Sequence, residues 1–233
     1  ITPLQENVDV DSAALGSTTT DVSLLEYGSA VTTTAMLRGT SFIPVDPVAA
    51  ERVGWNAGLS VDILARTELD NASQTAGSAG ANLSSADLRE AVSILKQNNV
   101  RPFNGGNYVA VISPVQEQML KSEADAAGWR WVVGSSPGGG NSIYMGEVGT
   151  YEGCRIIVNN NLTDQGSGYV MGAEGLAKGF SSAPGFGPNP RVVVSPVVDK
   201  LRRFASVGWH HLVGYSIFRD EAIVRLTTSA TIV

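Results

Sequence analysis

An α+β fold, in which a long helix and a closing pair of strands flank an α/β lobe, is what this 233-residue chain predicts. Three observations carry that prediction. The first is a helix signal over 46–69: Asp46 can cap the free amides, and Pro47 takes the first helical position, where a missing N–H costs nothing. The second is the helix, strand, helix order between Ser84 and Gly128. The third is the alternation Trp209, His211, Val213, Tyr215, Ile217, which gives a strand one bulky face. The charged turn Arg219-Asp220-Glu221 and the return strand Ile223-Val224-Arg225-Leu226 follow it, so the pair reads as a terminal β-hairpin.

Taken in order, residues 1 to 24 are rich in Thr, Ser and Asp and poor in long apolar runs, as an exposed extended arm or loop would be. From Asp21 to Leu37 the branched residues, including Thr32-Thr33-Thr34, favour a strand with a kink at Gly28. In the long helix Ala50, Val53, Ala57, Val61 and Leu64 make an apolar stripe, and Gly54 and Gly58, four apart, would let another backbone approach closely or are simply tolerated. Asn71 to Asn82 is a polar linker. The next helix has a full start signature: Ser84 caps, Asp87 completes a capping box, Leu83 staples onto Leu88, and the apolar face runs through Val92 and Leu95 to about Asn98.

Tyr108 to Ile112 reads as a buried strand, and Ser113-Pro114 starts a third helix that stops at Gly128. Gly134 to Ser142 is a glycine-rich loop. Short strands are expected at Cys154 to Val158, Tyr169 to Met171 and Arg191 to Val194, a flexible loop at Gly179 to Pro190, and a short helix at Asp199 to Phe204. The long helix and the closing strands then form one platform, interrupted by an inserted lobe.

Composition bounds the function. A hydrophobic fraction of 43%, a charged fraction of 16% and 26 glycines describe a chain that folds with many turns. No apolar run approaches the roughly 20 residues that span a bilayer, and no signal-peptide pattern opens the chain, so no membrane partner is expected. Cys154 stands alone, which rules out an intramolecular disulfide framework, and with His210 and His211 as the only histidines there is no Cys/His cluster for structural zinc. The net charge of −6 and the scattered basic residues, Arg202-Arg203 aside, lack the positive field of a tight nucleic-acid binder.

The candidate chemistry is thin. Gly134-Ser135-Ser136-Pro137-Gly138 matches the G-x-S-x-G nucleophile elbow, but Pro137 and three glycines follow Ser136 where the elbow needs a helix. Gly138-Gly139-Gly140 lacks the Lys-Ser/Thr ending of a phosphate loop. His210 and His211, being consecutive in a strand, point to opposite faces and cannot chelate one ion together; one is expected buried and the other exposed. Glu147 and Glu152 around Gly149 read as solvated loop charges. The sequons at Asn71, Asn82 and Asn161 occur often by chance. No catalytic, cofactor-binding or metal site and no cofactor is expected.

The order of segments along nearly all of the chain resembles tailed-phage major capsid proteins of the Hong Kong ninety-seven fold. The resemblance rests on Ile1-Thr2-Pro3-Leu4-Gln5-Glu6-Asn7-Val8, on Leu25-Glu26-Tyr27-Gly28-Ser29-Ala30-Val31, and on Asp46-Pro47 to Leu69 as the spine helix. Asn98-Asn99-Val100-Arg101-Pro102-Phe103, Tyr108-Val109-Ala110-Val111-Ile112-Ser113-Pro114, Gly146-Glu147-Val148-Gly149-Thr150-Tyr151-Glu152-Gly153 and Val207-Gly208-Trp209 continue it. It implies that residues 1–20 are the remaining part of an extended loop, with an N-terminal arm upstream. It also implies that 21–98 begin a peripheral domain with spine helix 46–69, that 99–196 are an axial domain, and that 197–233 return to the peripheral domain with the terminal hairpin.

The implied function is a self-assembling subunit of the icosahedral shell around a double-stranded DNA genome. Its partners would be its own copies in pentamers and hexamers, scaffold, portal and decoration proteins, and packaged DNA contacted weakly and without sequence specificity. It would reside in the virion and assemble in the host cytoplasm. Two departures from the family pattern stand out: the first lysine is Lys96, so a loop lysine for cross-linking is missing here, and His210 replaces the lysine that often follows Val-Gly-Trp. The competing readings are another virion component, shell-stabilising or tail, and a serine hydrolase using Ser136; the long helix argues against the first and the missing helix after Pro137 against the second.

Overall fold

The computed structural model describes residues 14, 16, 19–103, 106–123, 147–151, 153–195, 201 and 203–232. Its elements run β1 (Leu25–Thr34), α1 (Ala35–Thr40), α2 (Val45–Leu69), β2 (Gln74–Ala76), α3 (Ser85–Gln97), β3 (Tyr108–Ile112) and α4 (Pro114–Ser122), then β4 (Glu147–Tyr151), β5 (Cys154–Val158), β6 (Ser167–Met171), β7 (Leu176–Phe180), β8 (Arg191–Ser195), β9 (Phe204–Ile217) and β10 (Ile223–Thr227). The mixture of helices and sheets is the predicted α+β class.

The strands form two sheets. In the smaller one β9 is central. Antiparallel β1 lines one side from Leu25↔Val213 to Thr34↔Phe204, while β7 and β8 occupy the other side end to end, at Leu176↔Ile217 to Phe180↔Val213 and Arg191↔His210 to Ser195↔Ser206. Helix α2 lies across this sheet because its small and branched residues Val53 and Ala57 pack on Val207 and Trp209 from alternate positions of β9. Trp209 also donates its indole N–H to Asn56 Oδ1 at 2.9 Å, so the ring is fixed as well as buried. At 25 residues, α2 is roughly 38 Å long.

The larger sheet has the order β2-β10-β6-β3-β5-β4. Helices α3 and α4 cover one face: Leu88, Leu95, Met119 and Leu120 meet Ala110, Ile112, Ile156, Val170, Val224 and Leu226, all buried. Alternation sends Tyr169 and Ile223 to the opposite face, against Leu69 and Ala72 at the end of α2. The sequence signals for α3 and α4 are local and hold as expected: Ser84 and Asp87 make a capping box, as do Ser113 and Gln116 with Pro114 in the first turn.

Where longer-range forces decide, the structure departs from expectation. The terminal hairpin does not form. β9 and β10 lie in different sheets: β7 holds one edge of β9 over residues 213–217, and the fully buried Ile223, Val224 and Leu226 need cover on two faces, which a slot between β2 and β6 supplies. A 3-10 turn at Asp220–Ala222 makes the transfer. Part of the expected linker 71–82 is β2, pairing in parallel with β10, and β2 and α3 pack with the larger sheet rather than with α2.

The first strand ends at Thr34, which caps α1 by accepting from Leu37 N. Asp46 lies inside the first turn of α2 and is not its cap; its carboxylate instead accepts from buried Thr33 Oγ1 at 3.0 Å. Helix α4 ends at Ser122, and Phe204 begins β9. Gly128, the loop Gly134 to Ser142, and residues 199, 200 and 202 lie outside the described residues.

Candidate functional site

Ser136 and the surrounding glycines lie outside the described residues, as does Glu152; Glu147 begins β4. Among the described residues no group of three or more His, Cys, Asp or Glu side chains is placed to hold a metal ion. Cys154 is buried without a disulfide partner, and burial pushes its thiol pKa up to about 12, so it stays protonated and unreactive. His210 and His211 take opposite faces of β9 as expected: His211 is 1% exposed and His210 is half-buried.

The features that remain are surfaces. Met36 and Leu37 on α1, Phe42 and Ile43 between the helices, and Val48 on α2 are all exposed, with Phe42 fully so. α1 is too short to have a buried face of its own. The sequence shows only short apolar pairs here, Met36-Leu37 and Phe42-Ile43, separated by Arg38-Gly39-Thr40-Ser41, too little to mark a surface. Farther along α2, Trp55 is 75% exposed beside Gly54 and Gly58, where an added Cβ would meet nothing within 4 Å. The glycines thus open a shallow cleft of about 400 Å³ between Trp55, Leu59, Asp62 and Asn161. Strand edges add to this: Val192, Val193 and Val194 of β8 are exposed, and β1 has no partner other than β9 among the described residues. Such edges are templates for pairing with another chain.

The two sheets are joined through polar contacts along the C-terminal part of α2. Asp62 Oδ2 accepts from Asn159 Nδ2 and Asn161 Nδ2 at 3.0 and 2.9 Å, and Arg66 donates to Asn161 O at 3.0 Å. At the C-terminal end of the helix, Asp70 accepts from Tyr169 OH at 2.5 Å and from Thr163 Oγ1, while its backbone carbonyl accepts from Arg225 Nη1 at 3.2 Å. Burial, then the bond to Asp70, pushes the Tyr169 pKa up, which keeps the phenol a donor. Asp220 in the 3-10 turn accepts from Ser73 N at 3.0 Å and from Ser73 Oγ. This arrangement can transmit force between the sheets.

No family model matches the chain, and no curated protein is similar to it. Solved structures are similar. The acidic stable capsid structure of Helicobacter pylori bacteriophage KHP30 aligns with 90% of this chain and 76% of its own at a TM-score of 0.68 and 13% identity. The capsid of Ralstonia phage GP4 aligns over 88% and 74% at 0.67 and 16% identity. The capsid of the cyanophage P-SCSP1u aligns over 96% and 80% at 0.62 and 11% identity. The chain has the fold of these tailed-phage capsid structures.

Proposed function

We propose that the chain is a major capsid protein, a subunit that tiles a closed icosahedral shell around the double-stranded DNA of a tailed bacteriophage. The observation that carries this reading is the fold likeness to phage capsid structures over about nine-tenths of the chain. The exposed apolar residues at 36–48 and the open edges of β1 and β8 support it, since a shell subunit works through contacts with its own copies. Its work is mechanical, and it needs no catalytic residue and no cofactor.

In this reading the small sheet with α2 is the peripheral domain, and the large sheet with α3 and α4 is the axial domain that meets its copies in pentamers and hexamers. The boundary shifts accordingly: β2, α3 and β10 belong with the axial lobe. Residues 1–20, most of which lie outside the described residues, would complete the extended loop. Scaffold, portal and decoration proteins are the expected partners, packaged DNA is contacted weakly and without sequence specificity, and assembly takes place in the host cytoplasm before the subunit resides in the virion. Electron microscopy and sedimentation of the full-length protein, expressed alone and with its scaffold, test this. Rings of five and six or closed shells are expected; a strictly monomeric chain under every assembly condition would overturn it.

A further inference from the structure

The chain's only two histidines meet in one place that the shell reading does not use. β7 ends at Phe180↔Val213 and β8 begins at Arg191↔His210, so along that edge His211 and Leu212 of β9 have no strand partner. The connecting segment 181–190, Ser-Ser-Ala-Pro-Gly-Phe-Gly-Pro-Asn-Pro, crosses this gap and is held at three successive residues. Phe186 meets the His210 ring edge-on, with centroids 5.2 Å apart at 85°. Gly187 O lies 3.2 Å from His211 Nε2, and Pro188 O accepts from Lys178 Nζ at 2.7 Å. Because the histidines point to opposite faces, the segment straddles the strand edge. It is pre-shaped for this, with Gly185 at φ +97° and Phe186 N bonded to Ala183 O at 3.0 Å.

We propose that residues 181–190 are a pH-sensitive strap, held on the edge of β9 while His211 is neutral and released when His211 takes up a proton. A carbonyl only accepts, so the bond to Gly187 fixes the proton of neutral His211 on Nε2 and leaves Nδ1 bare. Nδ1 is buried and has no hydrogen-bond partner among the described residues. A second proton would therefore create an unsatisfied buried N–H and a charge beside the Lys178 ammonium.

Among the described residues the surrounding groups offer no compensation. The strap carries no ionisable side chain, β1 places Tyr27 opposite His211, and β7 supplies Lys178. On α2, the Asp62 carboxylate is already bonded to Asn159 and Asn161. Glu26 and Arg191 face His210 instead; Glu26 Oε1 is 3.6 Å from its Nδ1, beyond hydrogen-bond reach. Desolvation lowers the His211 pKa, and the Gly187 bond opposes this only in part.

The direction of the linkage follows. A folded pKa depressed below the ordinary 6.5 leaves docking at full strength above that pH and weakens it as pH falls below. Between pH 7.5 and 5.5 the open population rises by up to about tenfold if His211 stays neutral while docked. Hydrogen exchange of the full chain tests this, read on the peptide covering 181–191, corrected for intrinsic rates and referenced to the peptide covering β3. Protection of the strap is expected to drop several-fold over that interval while β3 is unchanged, and to become pH-independent in His211→Gln, whose amide can still donate to Gly187. Equal loss at β3, no loss at all, or the same loss in His211→Gln would overturn the proposal. Should His211→Gln not fold, an NMR titration of the His211 ring in the unmodified protein decides: a midpoint at or above 6.5 refutes it.

Discussion

Replacing Tyr169 with Phe removes one hydrogen-bond donor from the joint between the two sheets and leaves the buried ring in place. The hydroxyl donates to Asp70 Oδ1 at 2.5 Å, and the ring is fully buried. A hydrogen bond to a charged group contributes about 1.5–3 kcal/mol. Asp70 is only half-buried and keeps Thr163 on its other oxygen, so the lower end, about 1.5 kcal/mol, applies. For a chain of this length that corresponds to a fall in Tm of about 3–6 °C.

Asp70→Ala costs more, about 3 kcal/mol, because it strands the Tyr169 hydroxyl in the interior and removes the Thr163 contact too. Urea unfolding of the unassembled chain, followed by both tryptophan fluorescence and circular dichroism, measures these values. The double variant must cost less than the sum of the singles, since both delete the same bond. A Tyr169→Phe change within 0.5 kcal/mol of the parent, or strict additivity in the double variant, would refute the assignment of this contact as the joint. The raised Tyr169 pKa adds a pH signature. Stability is full below the ordinary value of 10.0 and falls as pH rises above it, and Tyr169→Phe flattens that alkaline slope.

Three further outcomes are expected. Gln116 is fully buried, accepts from Ser113 N, and donates to Gly166 O and Thr228 Oγ1; Gln116→Ala strands the Ser113 N–H, while Gly166 O and Thr228 Oγ1 keep their bond to each other, and costs about 2 kcal/mol by thermal melting. An added Cβ at Gly214 would sit 2.1 Å from Ser23 O, while one at Gly58 meets nothing within 4 Å. Gly214→Ala therefore destabilises by about 2 kcal/mol, and Gly58→Ala stabilises the unassembled chain by about 1 kcal/mol. Cys154, with its thiol pushed up to about 12, resists maleimide at pH 8 in the folded protein and reacts on unfolding. Equal rates in both states would contradict its burial.

Legibility in the sequence followed the range of the forces involved. The capping box at Ser84/Asp87 and the Ser113-Pro114 start were readable because their partners sit within three residues, although the part Gln116 plays in the second cap was not read. The buried strand Tyr108–Ile112 was readable because its neighbours on both faces are apolar. The destination of Ile223–Thr227 was not, since a charged turn after an aromatic strand looks the same whether the chain folds back or moves on; only the place between β2 and β6 decides. The short β2 was hidden in a polar run because its three residues owe their place to β10. Phe42 and Ile43 have core chemistry and surface positions, a conflict that only the folded subunit displays. His210 and His211 were correctly sent to opposite faces by the two-residue period of a strand, yet the strap that exploits this arrangement is a tertiary contact.

The separation of β9 from β10 bears on how the chain is made. Among the described residues, β1 and the two segments β7 and β8 have β9 as their only strand partner, and β2 has only β10. While a ribosome is still translating toward residue 204, the small sheet has no strand pairing at all and the large one lacks its link to β2. Both close together once residues 204–227 emerge, so a truncated product carries unpaired strands in both lobes. Synthesis order thus acts as a checkpoint: both halves of the chain are locked only by one late stretch.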